Sequence, residues 1–466
     1  MGRLVLPGLE ASTSGVTRGI ALAFGAFALA SCGPWKRVGT PEPSTAGSEQ
    51  VTQVFDPMTV FRQMGLVTGA GQIPFVGSVH LLAGPTPDTA IAVVALSLEN
   101  RQLAFEREAD GFSAGYHVEV AFRQGVNLVR QLARDERVVV GTFRETQRAD
   151  ESVIFQEPLT VAVGEYQVVI SVRDRNAPNV GRYEGAIRVL PLETPAIAAP
   201  IAAYHATPRT DAAATPDLLV NPRSTVEYGS DTARFYVETY GLPASSSVVV
   251  SALDAQRQVV WADTNRLDST RALSAFAVRV PPGSLSLGRY ELRVGVGGGG
   301  VVATAPFLVA FSGQWVVTNL DQMLSLLRYF TSPDTLRALA SVPPEQRAAA
   351  WRKFWHDTDP NQATPENEAL EQYFARLQTA NQRFRDEGVP GWLTDRGEVL
   401  ITLGEPDEVF DRRSEMQGRS RMIVWTYTQL RLTLYFVDDS GFGRFRLDPG
   451  SRSEFLEVVN RLRRST

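Results

Sequence analysis

The chain has 466 residues, 44% of them hydrophobic and 21% charged, with a formal net charge of -5. At roughly 100–200 residues per domain this length means about three domains, and the balance excludes disordered, collagenous and polytopic membrane classes. A net negative chain offers no basic face for nucleic acid. One cysteine rules out an internal disulfide framework, and four histidines leave little for a metal cluster.

The N-terminus reads as an address. Arg3 and Arg18 precede a run of apolar and small residues, Gly19 to Ala30. As a helix it would reach about 18 Å, well short of roughly 30 Å of bilayer hydrocarbon, so it suits a signal-peptide core and not a span. Leu29-Ala30-Ser31-Cys32-Gly33 follows. This stretch resembles the bacterial lipobox, which implies that residues 1–31 are removed and that the Cys32 thiol carries a diacylglyceryl group. Acyl chains contribute about 0.8 kcal/mol per buried methylene, enough for several of them to hold a soluble body at a leaflet. Residue 33 is Gly and not Asp, so the resemblance points to the outer membrane, with the body facing the periplasm.

Residues 32–72 are expected to be a tether, rich in Gly, Pro, Ser and Thr over its first part. From 73 to 190 short runs of β-formers recur: Val76–Leu82, Ala90–Leu98, Tyr116–Phe122, Val138–Phe143, Leu159–Val163, Tyr166–Val172 and Gly185–Val189. Turn residues separate them, which predicts an all-β, immunoglobulin-like sandwich. A Pro- and Ala-rich linker is expected over 191–222, and a second sandwich over 223–312. The two β regions echo each other: Gly164-Glu-Tyr166 and Gly288-Arg-Tyr290 both open strands of period two. A Tyr so placed packs its ring under the sheet and caps a corner carbonyl with its hydroxyl. Gly297–Gly300 lacks the Lys-Ser/Thr of a phosphate-binding loop.

Residues 313–466 are expected to form an α+β domain, helices packed on a small antiparallel sheet. Asn319 caps a first helix, a second starts after Pro343-Pro344, and a third starts at Thr364-Pro365 and ends at Gly388. Glu398–Leu403, Met422–Thr428, Leu430–Val437 and Arg444–Leu447 read as strands, with a last helix over 453–463. His356-Asp357-Thr358-Asp359 lacks the second histidine of a zinc-protease helix, so no metal is expected. No motif calls for a cofactor.

Between the third helix and the first of these strands stands Gly391-Trp392-Leu393-Thr394-Asp395-Arg396-Gly397, and Gly404-Glu405-Pro406-Asp407 follows. With Trp351–Trp355, Asn367-Glu368, Trp425-Thr-Tyr427 and Gly441-Phe-Gly443 in the same order, the region resembles the GWxTD domain family over roughly 315–450. Members are typically bacterial envelope proteins, and the resemblance implies no established activity. Trp392, Thr394, Asp395, Arg396, Asp407 and Glu368 are the candidate ligand or partner residues. The alternative is that they are structural: a tryptophan over the helix–sheet junction, and carboxylates and a hydroxyl that satisfy turn N–H groups. Two functions follow. The first is a lipid-anchored envelope scaffold that binds a protein or polymer and has no catalytic residues. The second is an envelope glycan or peptide hydrolase with Asp395 and Asp407 as acid and base.

Overall fold

A computed structural model of the protein describes residues 57–148, 153–229, 231–243, 246–267, 272–297, 299–311, 316–317, 319–363, 367–384, 389–413 and 421–465. Cys32, the leader, Thr364-Pro365 and Gly388 lie outside these residues.

The stretch expected as tether already carries structure at its C-terminal end. Helix α1 (Pro57–Gln63) buries Val60 and Phe61 against Val76, Leu308 and Ala310, and strand β1 (Val67–Gly71) follows it. Then come β2 (Phe75–Ala83), β3 (Thr89–Leu98), β4 (Glu106–Glu108), β5 (Gly111–Gln124) and β6 (Asn127–Val140). A helical turn, α2 (Phe143–Thr146), leads to β7 (Val153–Ala162), β8 (Gly164–Asp174) and β9 (Val180–Val189). The order is β4-β5-β8-β9-β1-β2-β3-β7, with β6 paired to β5. Strand β1 changes partner midway: Val67–Gly69 pair with β2, and Ala70 and Gly71 pair with β9. The sheet thereby folds over itself into a sandwich-like module. Alternate residues of β5 (Ala114, Tyr116, Val118, Val120, Phe122) meet Val94, Leu96, Ile170 and Val172 in its core.

The second β region comprises β10 (Ala196–Ile197), β11 (Ile201–Thr207), β12 (Asp217–Val220), β13 (Thr225–Glu227) and β14 (Ala233–Tyr240). It continues through β15 (Ser247–Leu253), β16 (Val259–Arg266), β17 (Leu273–Val280), β18 (Gly288–Val296) and β19 (Val302–Ala310). One sheet runs β10-β14-β11-β12 with β17 on β14, and the other runs β13-β19-β18-β15-β16. Strands β10–β12 arise from the stretch expected as linker, which is therefore corrected. Leu218 and Val220 pack with Ile201 and Tyr236 against Leu82, Ile91, Val93 and Ala95, on the outer face of the first module. The tyrosine echo holds: the Tyr166 hydroxyl donates to the Ala162 carbonyl at 2.9 Å, and that of Tyr290 donates to the Ser286 carbonyl at 3.0 Å.

The C-terminal region has α3 (Leu320–Leu326), α4 (Pro333–Ser341), α5 (Pro344–Thr358), α6 (Glu368–Arg383) and α7 (Asp395–Leu403). A meander of β20 (Glu408–Arg413), β21 (Arg421–Tyr427), β22 (Leu432–Asp438) and β23 (Arg446–Leu447) precedes α8 (Pro449–Ser465). Two expectations are corrected. Residues 398–403 are helical, not a strand, because Thr394 caps α7 and the helix buries Val399, Leu400 and Ile401 together. Asn367 caps α6, its Oδ1 accepting the Leu370 N–H at 3.0 Å. The core of this region is continuous with the second β module, where Phe311 lies 4.5 Å from the Trp351 ring and 5.2 Å from Phe374.

Candidate functional site

The Gly391–Gly397 motif builds one interlocked corner. Residues Gly391–Leu393 form a 3₁₀ turn laid directly on the backbone of α6. The Gly391 N–H donates to Asn381 Oδ1 at 3.1 Å, and a Cβ at 391 would overlap the Ala380 carbonyl oxygen. Thr394 Oγ1 donates to the Gly391 carbonyl at 2.8 Å and accepts the Gly397 N–H at 3.0 Å, satisfying one of the open donors at the start of α7. A Cβ at 397 would run into the Gly391 carbonyl oxygen. Both glycines are thus required by close backbone approach. Trp392 is 2% exposed, among the largest fully buried side chains. Its Nε1 has no hydrogen-bond partner among the described residues, and the Arg328 guanidinium stands 5.9 Å from its ring centroid.

The other candidates point to different neighbours. Asp395 Oδ1 pairs with Arg452 Nη2 at 2.7 Å, and its Oδ2 accepts the Leu447 N–H at 2.7 Å. Arg396 lies between two rings, 4.6 Å from Phe384 and 4.4 Å from Phe445, a cation–π arrangement. Asp407 Oδ2 accepts the Thr428 N–H at 2.6 Å. Glu368 reaches out of the domain: its Oε1 accepts from Arg144 Nη1 of α2 at 2.9 Å, tying α6 to the first β module, and also from Asn361 Nδ2 at 3.3 Å.

The sheet register separates the two aspartates. Leu447, held by Asp395, pairs with Phe436 and through it with Ile423. Thr428, held by Asp407, lies five residues further along that strand, roughly 17 Å at 3.3 Å per residue. Glycosidase carboxyl pairs stand about 5–9.5 Å apart. Among the described residues no group of three or more His, Cys, Asp or Glu is placed to hold a metal ion.

Sequence reasoning missed Arg452, which pairs with Asp395. The Asp438 carboxylate accepts from Ser440, Gly441 and Gly443 N–H groups and shapes the turn before β23. Burial alone would raise its pKa, but these bonds together with the Ser440 hydroxyl outweigh burial and hold it below the usual carboxylate value.

On its other side the sheet is open. Phe410, Val424 and Tyr435 form one cross-strand row, with Phe410 54% and Tyr435 42% exposed, while Ile423, Trp425, Leu434 and Phe436 fill the core behind them. Phe442, in the Asp438 turn, is 78% exposed.

These features define a multidomain, β-rich protein closed by a small α+β domain whose motif residues build its own interior. Residues 304–440 match the GWxTD domain family, so the chain carries a GWxTD domain. Among solved structures, the native form of E. coli alpha-2-macroglobulin is similar at 14% identity and a TM-score of 0.17, over 50% of this chain and 16% of that one. A beta-glucuronidase of Bifidobacterium dentium is similar at 11% identity and a TM-score of 0.16, over 51% and 43% respectively. An adhesin of Mobiluncus mulieris is similar at 10% identity and a TM-score of 0.13, over 47% and 79%. The chain thus spans 16% of the length of the macroglobulin and 43% of that of the glucuronidase. No curated protein matches it. Among the described residues no helix is long and apolar enough to cross a membrane.

Proposed function

We propose that the protein is a lipid-anchored scaffold of the bacterial cell envelope, held at the outer membrane through Cys32 and facing the periplasm. In this reading its GWxTD domain binds a protein or polymer partner. The observation that carries the reading is the outward sheet face, where exposed Phe410 and Tyr435 flank the buried Val424 in one cross-strand row, and the turn after β22 exposes Phe442. Large apolar side chains grouped on a surface mark interaction sites. The motif residues, by contrast, are spent on internal contacts. The hydrolase alternative has less support, since Asp395 and Asp407 are each bound to a different stretch of backbone.

Crosslinking on native membranes followed by purification tests the reading. A partner recovered in stoichiometric amount, and lost from a Phe410→Ser/Tyr435→Ser variant that still folds, is the expected result. Repeated recovery of none counts against it. Mass spectrometry of the mature N-terminus tests the anchor separately: an unmodified Cys32 thiol removes it.

A further inference from the structure

Strand β1 fills only part of the place between β2 and β9. Its pairing with β2 covers Val67–Gly69 against Phe75–Gly77, and its pairing with β9 covers Ala70 and Gly71. At Leu66 the chain turns back into α1 through Gly65, whose φ is 79°. Strands β2 and β9 run on, to Ala83 and Val189. Continued in the same antiparallel register, Ser78–His80 fall opposite positions 64–66 and Gly185–Ile187 opposite positions 65–67, at the end of β1 where the chain turns away. These residues are walls of an open cleft of about 270 Å³, closed at one end by Gly65–Val67 and covered by Thr304–Pro306 of β19.

We propose that this cleft binds an extended, uncharged peptide segment, which enters as an added strand between β2 and β9. Neighbouring strands lie about 4.8 Å apart, and at Val67–Gly69 β1 pairs with β2 alone, so an added strand would pair with the free edge of β2 and face β9 across the cleft. Three wall residues on each side correspond to roughly 10 Å of extended chain. The described lining holds no Asp, Glu, Lys or Arg, so a charged side chain brought into it would lose water without gaining a partner. Val67, Val79, Val168 and Ile187 offer apolar contact for β-branched side chains. Two wall residues also carry buried polar atoms without a partner among the described residues, Ser78 Oγ and His80 Nε2. Burial lowers the His80 pKa to about 4, so the ring is neutral at physiological pH and can both give and take a hydrogen bond.

The proposal rests on neither the anchor nor the GWxTD surface, and its test reads a different module. The full chain is titrated with a pool of acetylated, amidated pentapeptides made from Val, Thr, Ser and Ala, and hydrogen exchange is followed with and without the pool. Saturable binding is expected, with slowed exchange confined to Ser78–Leu82 and Tyr183–Ile187. Thr304→Trp, at an exposed position on the rim, should weaken binding about tenfold or more, whereas Thr304→Ser should not. Pro306→Trp on the same rim is the second blocking variant should the first fail to fold. No binding at millimolar peptide, slowed exchange elsewhere, or equal binding by the folded Trp variants overturns the proposal.

Discussion

Asp395 and Arg452 meet at 2.7 Å and fasten α7 to α8, each side chain about a third exposed or less. Arg452 also holds Glu398 at 2.6 Å, so one guanidinium serves two carboxylates of the first turn of α7. Asp395→Asn keeps an acceptor for the Leu447 N–H and removes the charge. It is expected to cost about 1–2 kcal/mol, less than a fully buried pair because water still screens this one. Urea unfolding of Asp395→Asn, Arg452→Met and the double variant measures the coupling, which should be about 1 kcal/mol. Additive single effects would mean that the pair contributes nothing.

The motif tryptophan makes a different prediction. Trp392→Ala empties a filled core and should cost about 3–5 kcal/mol. Trp392→Phe leaves most of the ring and also removes the unpartnered Nε1–H, so its cost should be much smaller, near 1 kcal/mol. Gly391→Ala, which forces a methyl onto the Ala380 carbonyl, should cost about 1–3 kcal/mol despite being the smallest change available. A Phe variant as unstable as the Ala variant would show that the indole N–H has a partner after all.

How much of this was legible depended on the distance between partners. Some strands of the first module follow from period-two runs, because alternation is a local property; β5 and β8 contain the runs Tyr116–Phe122 and Tyr166–Val172, whereas β1, β4 and most of β6 lie outside the expected runs. Helix α7 reads as a strand in the sequence because Glu398-Val-Leu-Ile-Thr-Leu is a short apolar run rich in β-formers. The overlooked signal was Thr394 as an N-cap with Asp395 and Glu398 in the first turn. The supposed linker failed for a different reason. Ala- and Pro-rich composition suggested a loop, but Leu218 and Val220 are fixed by Ile91 and Val93 of another module. The same holds at the candidate site. Thr394 acts within a few residues of itself and could be read as structural, whereas Glu368 reaches Arg144, 224 residues away.

A pH dependence follows from His80. Its folded pKa of about 4 lies below the ordinary 6.5 because burial disfavours the charged ring. The unfolded chain therefore binds the extra proton first as pH falls. Stability is fully present above pH 6.5 and declines between 6.5 and about 4, by a few kcal/mol at most. The described cleft lining holds no carboxylate to offset this. Asp438 acts in a lower window, since a depressed carboxylate loses its contribution only as pH falls below its ordinary 3.8. Thermal melts of His80→Gln between pH 4 and 7 should therefore be flatter than those of the unaltered chain, and parallel curves would reject the assignment.

The two β modules are clamped by a buried ion pair between Arg209, in the stretch that composition marked as linker, and Glu238 of β14. Arg209, with a 4% exposed side chain, donates to Glu238, wholly buried, through Nε at 2.6 Å and Nη2 at 2.9 Å. Its remaining N–H groups reach the carbonyls of Ala212, Ala214 and, across the module boundary, Ala83 at 2.9 Å. The Tyr236 and Tyr240 hydroxyls each donate to Glu238 at 2.5 Å, and the Ala83 N–H donates to the Tyr240 hydroxyl at 3.0 Å. With every group satisfied, removing one partner strands the other. Arg209→Met should cost about 3–5 kcal/mol by leaving a carboxylate alone in the interior. Adding Glu238→Gln removes that stranded charge and should restore a sizeable part of the loss. Because Arg209 also holds Ala83, the Met variant should in addition speed amide exchange at the end of β2 and in β11–β12. Restored stability in the double variant with exchange still fast at those strands would separate the electrostatic role of the pair from its role in joining the modules. A double variant no more stable than Arg209→Met would refute the stranded-charge account.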